Sequence, residues 1–218
     1  MLAPLSDTKS MATLAGATFF ALDDFLLSDE MSLLWHYVLA EQGRFAATQV
    51  KGNRRAKSFV NTTFRRSRVL MDLGPHREFV AQRLRSYVSA VARNLSVQPF
   101  RTSRIEIQLT ATNDGGFFRA HRDNGAHPFE TRLISFVLYF HRQPKPFSGG
   151  ELILYKPGAH SHDPTGEGSI TIVPKHNRIV FFPSYLLHEV CIVSCFSREF
   201  RDSRFTLNGW FHCERGEL

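Results

Sequence analysis

Hydrophobic positions recur at helical spacing twice in the first hundred residues and at strand spacing after that. Met31, Leu34, Trp35, Val38 and Leu39 mark the apolar stripe of one helix. Ser28 is its expected N-cap, Asp29 and Glu30 suit its first turn, and Gly43 is a plausible stop. Phe79, Val80, Leu84, Tyr87, Val88, Val91 and Leu95 form the stripe of a second helix, with Pro75 at its first position. A short strand over 19–25 precedes the first helix. A polar loop over 51–57 separates two strand-like pieces.

From residue 103 the period changes to two. Ile105, Ile107 and Leu109 alternate with Glu106, Gln108 and Thr110. Asn113-Asp114-Gly115-Gly116 reads as a turn. Further strands are expected over 117–123, 133–140, 151–155, 169–173, 178–182, 189–193 and 205–211. Many short strands after two core-facing helices predict an α+β protein. The architecture is a double-stranded β-helix, or jelly roll, with the N-terminal helices packed on one sheet. The expectation is a single domain over 1–218: buttressing strands and helices over 1–100, and a jelly-roll core over 101–213.

Charge changes this picture little. The chain carries a formal +7 over 218 residues. Much of the excess lies in Lys51, Arg54, Arg55, Lys57, Arg65, Arg66 and Arg68. That stretch could attract an acidic partner, but no nucleic-acid module or interleaved aromatics accompany it. A solvated loop and exposed strand face are the simpler reading, and nucleic acid is not the expected partner. Three cysteines with no C-x-x-C pair argue against a disulfide framework or a zinc knuckle. Reduced thiols point to a cytoplasmic protein. The uncharged, Ala-rich run 11–22 faintly resembles a signal peptide but reads better as chain entering the fold. No apolar run is long enough to span a bilayer.

The chemistry concentrates in Arg119-Ala120-His121-Arg122-Asp123-Asn124. Residues two apart share a strand face, so His121 and Asp123 are expected to aim an imidazole and a carboxylate at one point. His188 opens a later strand and offers a second imidazole. Two His and one carboxylate make the facial triad of non-haem Fe(II) oxygenases, which leaves metal positions open. Arg204, on the last strand, would place a cation inside the barrel mouth. There a dicarboxylate ligand is one partner and a structural salt bridge another.

Six ordered motifs extend the case: His121-Arg122-Asp123-Asn124; Val137-Leu138-Tyr139-Phe140; Ser148-Gly149-Gly150-Glu151-Leu152; 174–182; His188-Glu189-Val190; and 204–210. On these, residues 106–212 resemble the prolyl 4-hydroxylase-like branch of the 2-oxoglutarate/Fe(II) oxygenases, including the hypoxia-sensing prolyl hydroxylases. The resemblance implies Fe(II), with 2-oxoglutarate and O₂ as co-substrates. It implies a dioxygenase that hydroxylates an unactivated C–H and decarboxylates 2-oxoglutarate to succinate and CO₂. The implied substrate is a prolyl residue in a peptide or protein, or free proline or another amino acid, and the basic 51–57 stretch would favour an acidic substrate surface. The 51–57 loop would then serve as a lid.

At the matching positions it implies His121, Asp123 and His188 as iron ligands. Arg204 and Tyr139 would bind the far carboxylate of 2-oxoglutarate. Arg132, Trp210 and Asn124 would lie towards the substrate. Gly149 and Gly150 read as turn residues without direct chemistry. Two departures stand out. The spacing from His188 to Arg204 is long, which leaves Arg198 as a rival arginine. Thr110-Ala111-Thr112 also stands where the family often has a tyrosine.

Three other readings are weighed. Nucleic-acid demethylases of this superfamily carry a second arginine six residues after the co-substrate arginine, where this chain has Trp210. A non-catalytic jelly-roll binding module would be expected to lose a triad residue. A cupin-type metal site would use His160 and His162, an H-x-H pair in a Gly/Pro/Ser-rich segment that reads better as a loop.

Overall fold

A computed structural model describes residues 19–49, 59–125, 129–156, 158 and 168–214. The 51–57 loop, His160, His162 and most of the 11–22 run lie outside the described residues.

The N-terminal part contributes β1 (Phe20–Leu22), α1 (Ser28–Ala40), β2 (Ala46–Ala47), β3 (Arg65–Arg66), β4 (Arg68–Leu70) and α2 (Arg77–Asn94). The core follows with β5 (Thr102–Thr112), β6 (Phe117–His121), β7 (Arg132–Phe140), β8 (Ser148–Gly149), β9 (Leu152–Tyr155) and β10 (Ser169–Ile172). It closes with β11 (Arg178–Pro183), β12 (His188–Val190), β13 (Val193–Ser194) and β14 (Arg204–Cys213).

Pairing is antiparallel throughout these strands. A major sheet runs β1-β11-β7-β14-β5-β4-β2, a minor sheet runs β10-β9-β12-β6-β3, and β8 pairs with β13. This is the jelly roll expected from the alternation.

The two helices bury the predicted stripes. Met31, Leu34 and Val38 of α1 and Val80, Leu84 and Val91 of α2 join one apolar cluster. Burying each such side chain contributes roughly 1.5–3 kcal/mol. On the sheet side the cluster takes alternate residues: Ile105, Ile107 and Leu109 of β5, Ile134, Phe136, Leu138 and Phe140 of β7, and Phe205, Leu207 and Phe211 of β14. Gly209 interrupts that row for lack of room, because a Cβ there would sit 1.8 Å from the Glu106 carbonyl oxygen.

The intervening residues of β5 and β14 face the other way and are polar. The major sheet is therefore apolar on its helix side and polar on its inner side along β5 and β14, while Val180 and Phe182 of β11 and Tyr139 of β7 join Leu152 and Leu154 of β9 in a second apolar cluster.

Element ends differ from the sequence expectation in instructive ways. Leu27, not Ser28, caps α1, because its backbone N–H donates to Glu30 Oε2 at 2.8 Å. Pro75 lies in a 3-10 turn just before α2. β1 is only three residues long. Most important, β6 ends at His121, two residues short of Asp123.

Candidate metal centre and co-substrate pocket

Three polar side chains meet at the open end of the two sheets. His121 ends β6 and lies directly opposite His188 at the start of β12. The register brings the two imidazole centroids to 4.2 Å. Asp123 arrives from the loop beyond β6. Its N–H and that of Asn124 both donate to the Ser184 carbonyl, at 3.0 and 3.2 Å, which pulls the chain out of the ladder. The shared strand face expected for His121 and Asp123 is thus replaced by a loop held on Ser184, and the convergence survives. His121 Nε2 lies 3.5 Å from Asp123 Oδ1, and His188 Nε2 lies 3.3 Å from Asp123 Oδ2. All three ligand atoms fall within 4.8 Å of one another.

The surroundings fix which atoms point inward. His121 Nδ1 donates to the Arg119 carbonyl at 2.8 Å, and His188 Nδ1 donates to the Leu186 carbonyl at 2.9 Å. A carbonyl only accepts, so both Nδ1 atoms carry protons and both Nε2 atoms face the cluster. Ser135 Oγ donates to Asp123 Oδ2 at 2.7 Å and pairs with Ser184 Oγ at 2.9 Å. Phe118 stacks on His121 with centroids 3.5 Å apart, and Phe182 packs edge-on to His188 at 4.8 Å.

Burial, reinforced by His188, pushes His121 down to about 4, so it is neutral near pH 7. Burial opposes ionisation of Asp123, but the two imidazoles outweigh it and hold the carboxyl well below its usual range. A neutral imidazole and an ionised carboxylate are the ligand forms a divalent metal needs. Two nitrogen donors and one carboxylate on one side of a point fit Fe(II) with open positions.

Arg204 starts β14 and is 3% exposed. Its Nε donates to the Gly150 carbonyl at 2.7 Å, and among the described residues it has no carboxylate partner. Burial lowers its pKa. Tyr139 packs under it, with the Arg204 guanidinium carbon 5.0 Å from the ring centroid. The Tyr139 hydroxyl is fully buried and finds no hydrogen-bond partner among the described residues. Burial pushes it up to about 12. A buried cation without a counter-ion beside an orphaned hydroxyl is costly unless a ligand completes it, and a carboxylate fits both groups. Arg198 is no rival in geometry: it is surface-exposed and pairs with Asp114 at 3.0 Å.

The three clustered side chains and Arg204 border one cavity of about 430 Å³ between the sheets, and Tyr139, which packs against Arg204, is not part of its wall. Its wall takes His121, Asp123 and His188 on one side and Arg204 on the other. Gln108, Thr110, Thr206 and Asn208 make the polar floor, with Thr110 Oγ1 donating to Asn208 Oδ1 at 2.8 Å. Arg132 and Trp210 also line it, and Asn124 does not. Arg132 lies 3.5 Å over the Trp210 ring and is paired with Glu106 at 2.8 Å. Glu106 also accepts from His212 Nε2 at 3.1 Å.

Several contributing residues escaped sequence reasoning. Ser135 and Ser184 orient Asp123, and Gly150 supplies the carbonyl that aims Arg204. The polar Ser135 between Ile134 and Phe136 was a readable signal, since period two puts it on the inner face. Ser184 and Gly150 act through backbone and side-chain contacts that no spacing announces.

The comparisons agree with this geometry. The family described as the 2OG-Fe(II) oxygenase superfamily matches residues 107–212. An uncharacterized PKHD-type hydroxylase of Synechocystis sp. is 43% identical over 132 residues, covering 60% of this chain and 44% of that protein. The chain thus corresponds to less than half the length of that relative. A prolyl-4-hydroxylase of Pseudomonas putida is similar in structure, with a TM-score of 0.66 at 19% identity, covering 92% of this chain and 95% of that one. A prolyl hydroxylase from Trichoplax adhaerens, solved with a hypoxia inducible factor peptide fragment, gives 0.64 at 19% identity, covering 91% and 84%. At that identity these two structures speak for the fold. The His-Asp-His cluster lies inside residues 107–212, the stretch similar to the 2OG-Fe(II) oxygenase superfamily, and the chain has the prolyl 4-hydroxylase-like fold.

Proposed function

We propose that the protein is an Fe(II)- and 2-oxoglutarate-dependent dioxygenase that hydroxylates an unactivated C–H, with proline, free or as a prolyl residue, as the first substrate class. The observation that carries this is the pairing of two incomplete sites across one cavity. A His-Asp-His cluster faces inward on one wall, and a buried guanidinium without a carboxylate partner among the described residues lies on the other. We take the described residues to act as one oxygenase domain.

His121, Asp123 and His188 would hold the metal. Together, iron, 2-oxoglutarate and O₂ supply the oxidising chemistry: the C–H becomes C–OH while 2-oxoglutarate becomes succinate and CO₂. The chain's own residues bind and orient. Arg204 and Tyr139 grip the far carboxylate of the co-substrate, and Gly150 keeps the guanidinium aimed. The carbonyls of Arg119 and Leu186 keep both imidazoles turned with Nε2 inward. Phe118 and Phe182 exclude water from the imidazole faces.

On the substrate side stand Arg132 and Trp210. Arg132 Nε and Trp210 Nε1 are buried donors without a hydrogen-bond partner among the described residues, so a substrate carbonyl oxygen there would satisfy a donor. Asn124 has a supporting place in the Asp123 loop. The PKHD-type relative supports a hydroxylase, and the prolyl hydroxylases that share the fold make proline the first substrate class to test.

The test is succinate formation by anaerobically iron-loaded protein given 2-oxoglutarate and O₂, beside an Asp123→Ala control. Iron-dependent succinate from the wild type alone is the expected result. Absence of succinate, together with no 2-oxoglutarate binding under Mn(II) by calorimetry, would leave a jelly-roll binding protein instead.

A further inference from the structure

The cavity wall holds four arginines: Arg65, Arg122, Arg132 and Arg204. Three are accounted for. Arg132 is locked on Glu106, Arg204 is held by Gly150 beside Tyr139, and Arg122 donates to the Tyr185 carbonyl. Arg65 differs. Its only side-chain hydrogen bond among the described residues runs from Nε to Ser67 Oγ at 3.0 Å, which leaves both terminal nitrogens without a bond there. No described carboxylate pairs with it.

Its position is fixed from two sides. β3 pairs with β6 so that Arg65 lies opposite Phe118, and its guanidinium carbon sits 4.4 Å over that ring. Phe118 in turn stacks on His121. The cation is therefore one aromatic ring away from the metal cluster, and the Asp123 carboxylate is the charge that bears on it. Burial outweighs that carboxylate and lowers Arg65 to about 10, so the group remains a cation near pH 7, poorly solvated and poorly paired. Arg65 also borders a second cavity of about 450 Å³ shared with Arg66, Arg68 and Arg198, where Asp114 is the one lining carboxylate among the described residues. An acid approaching from that side meets positive potential up to the metal cluster.

Resting on the oxygenase reading above, we infer that the prime substrate carries a carboxylate close to the carbon that is hydroxylated, and that Arg65 binds it. A planar guanidinium with two nitrogens unused among the described residues, held over a ring, is preorganised for a bidentate carboxylate. Two sources supply that chemistry: the α-carboxylate of a free amino acid, or an acidic side chain beside the target residue of a peptide.

The experiment uses the full chain, iron-loaded, and reads succinate formation as each probe is added. One arm compares free L-amino acids, proline included, with their carboxamides. The other compares blocked prolyl peptides flanked by Asp with the same peptides flanked by Asn. At least one acid should accelerate turnover with a KM about tenfold or more below that of its neutral twin. Arg65→Gln should erase that preference, and Arg65→Lys should keep part of it, which a purely structural role would not predict. The arm in which the preference appears identifies the source. Neutral twins that work as well as the acids, no acid that accelerates turnover, or a preference that survives Arg65→Gln would overturn the inference. Succinate formed without any probe, and 2-oxoglutarate binding under Mn(II), report on the oxygenase reading separately.

Discussion

Arg204 and Gly150 are built for each other. The guanidinium Nε donates to the Gly150 carbonyl at 2.7 Å, and a Cβ on Gly150 would lie 2.6 Å from Arg204 Cδ. Gly150 has φ +72°, a conformation an L side chain adopts only with strain.

Gly150→Ala is therefore expected to displace the arginine as well as strain the turn. Stability should fall by about 1–3 kcal/mol. Binding of 2-oxoglutarate under Mn(II) should weaken by about tenfold or more, as for a lost charge-assisted bond. Calorimetry beside a thermal melt checks both. An unchanged affinity would show that Arg204 does not depend on this contact.

Tyr139→Phe separates ligand binding from folding. Among the described residues the hydroxyl makes no hydrogen bond of good geometry and loses only its electrostatic contact with Arg204, so the melting temperature should change little. Affinity for 2-oxoglutarate should drop. Equal loss of stability and affinity would instead mark Tyr139 as a packing residue.

Ser135→Ala tests the support of Asp123. The serine hydroxyl donates to Oδ2 and does not itself belong to the ligand cluster. Metal affinity should fall by about 10–100-fold, the usual effect of removing such a partner. Asp123→Ala should abolish iron-dependent turnover altogether. Titration with Mn(II) followed by the activity assay orders the two variants.

Acid stability should carry a mark of Asp23. Arg178 hydrogen-bonds this carboxyl and, against a smaller cost of burial and with help from Lys175, holds it at about 2 instead of 3.8. The folded value lies below the unfolded one. The stabilisation is thus fully present above pH 4 or so and is lost as the pH falls towards 2. Partial exposure of the pair reduces it to about 1 kcal/mol. Asp23→Asn should lower the melting temperature at pH 7 and narrow its gap to the wild type near pH 2.

The alternation of Ile105, Ile107 and Leu109 with Glu106, Gln108 and Thr110 made the two-faced sheet legible before any coordinates, because period two follows from strand geometry alone. The same rule misplaced Asp123. Its residue spacing from His121 fits a strand, but a pair of hydrogen bonds to Ser184, sixty residues on in the chain, ends the strand first. Long-range contacts of this kind leave no local trace. Arg65 was hidden differently: it stood in a basic stretch that reads as a solvated face, and only the pairing of β3 with β6 sets it over Phe118. The motif order pointed to His121, His188 and Arg204 as candidates, and all three line the same cavity.

The two-faced sheet also divides labour along single strands. On β14, Phe205, Leu207 and Phe211 answer to the helices, while Arg204, Thr206, Asn208 and Trp210 answer to the cavity. Neighbours in the chain thus meet different physical demands. A library that randomises Thr206, Asn208, Gln108 and Thr110 together should alter which molecules are accepted while drawing little on the reserve of folding free energy, so the scaffold is open to retargeting.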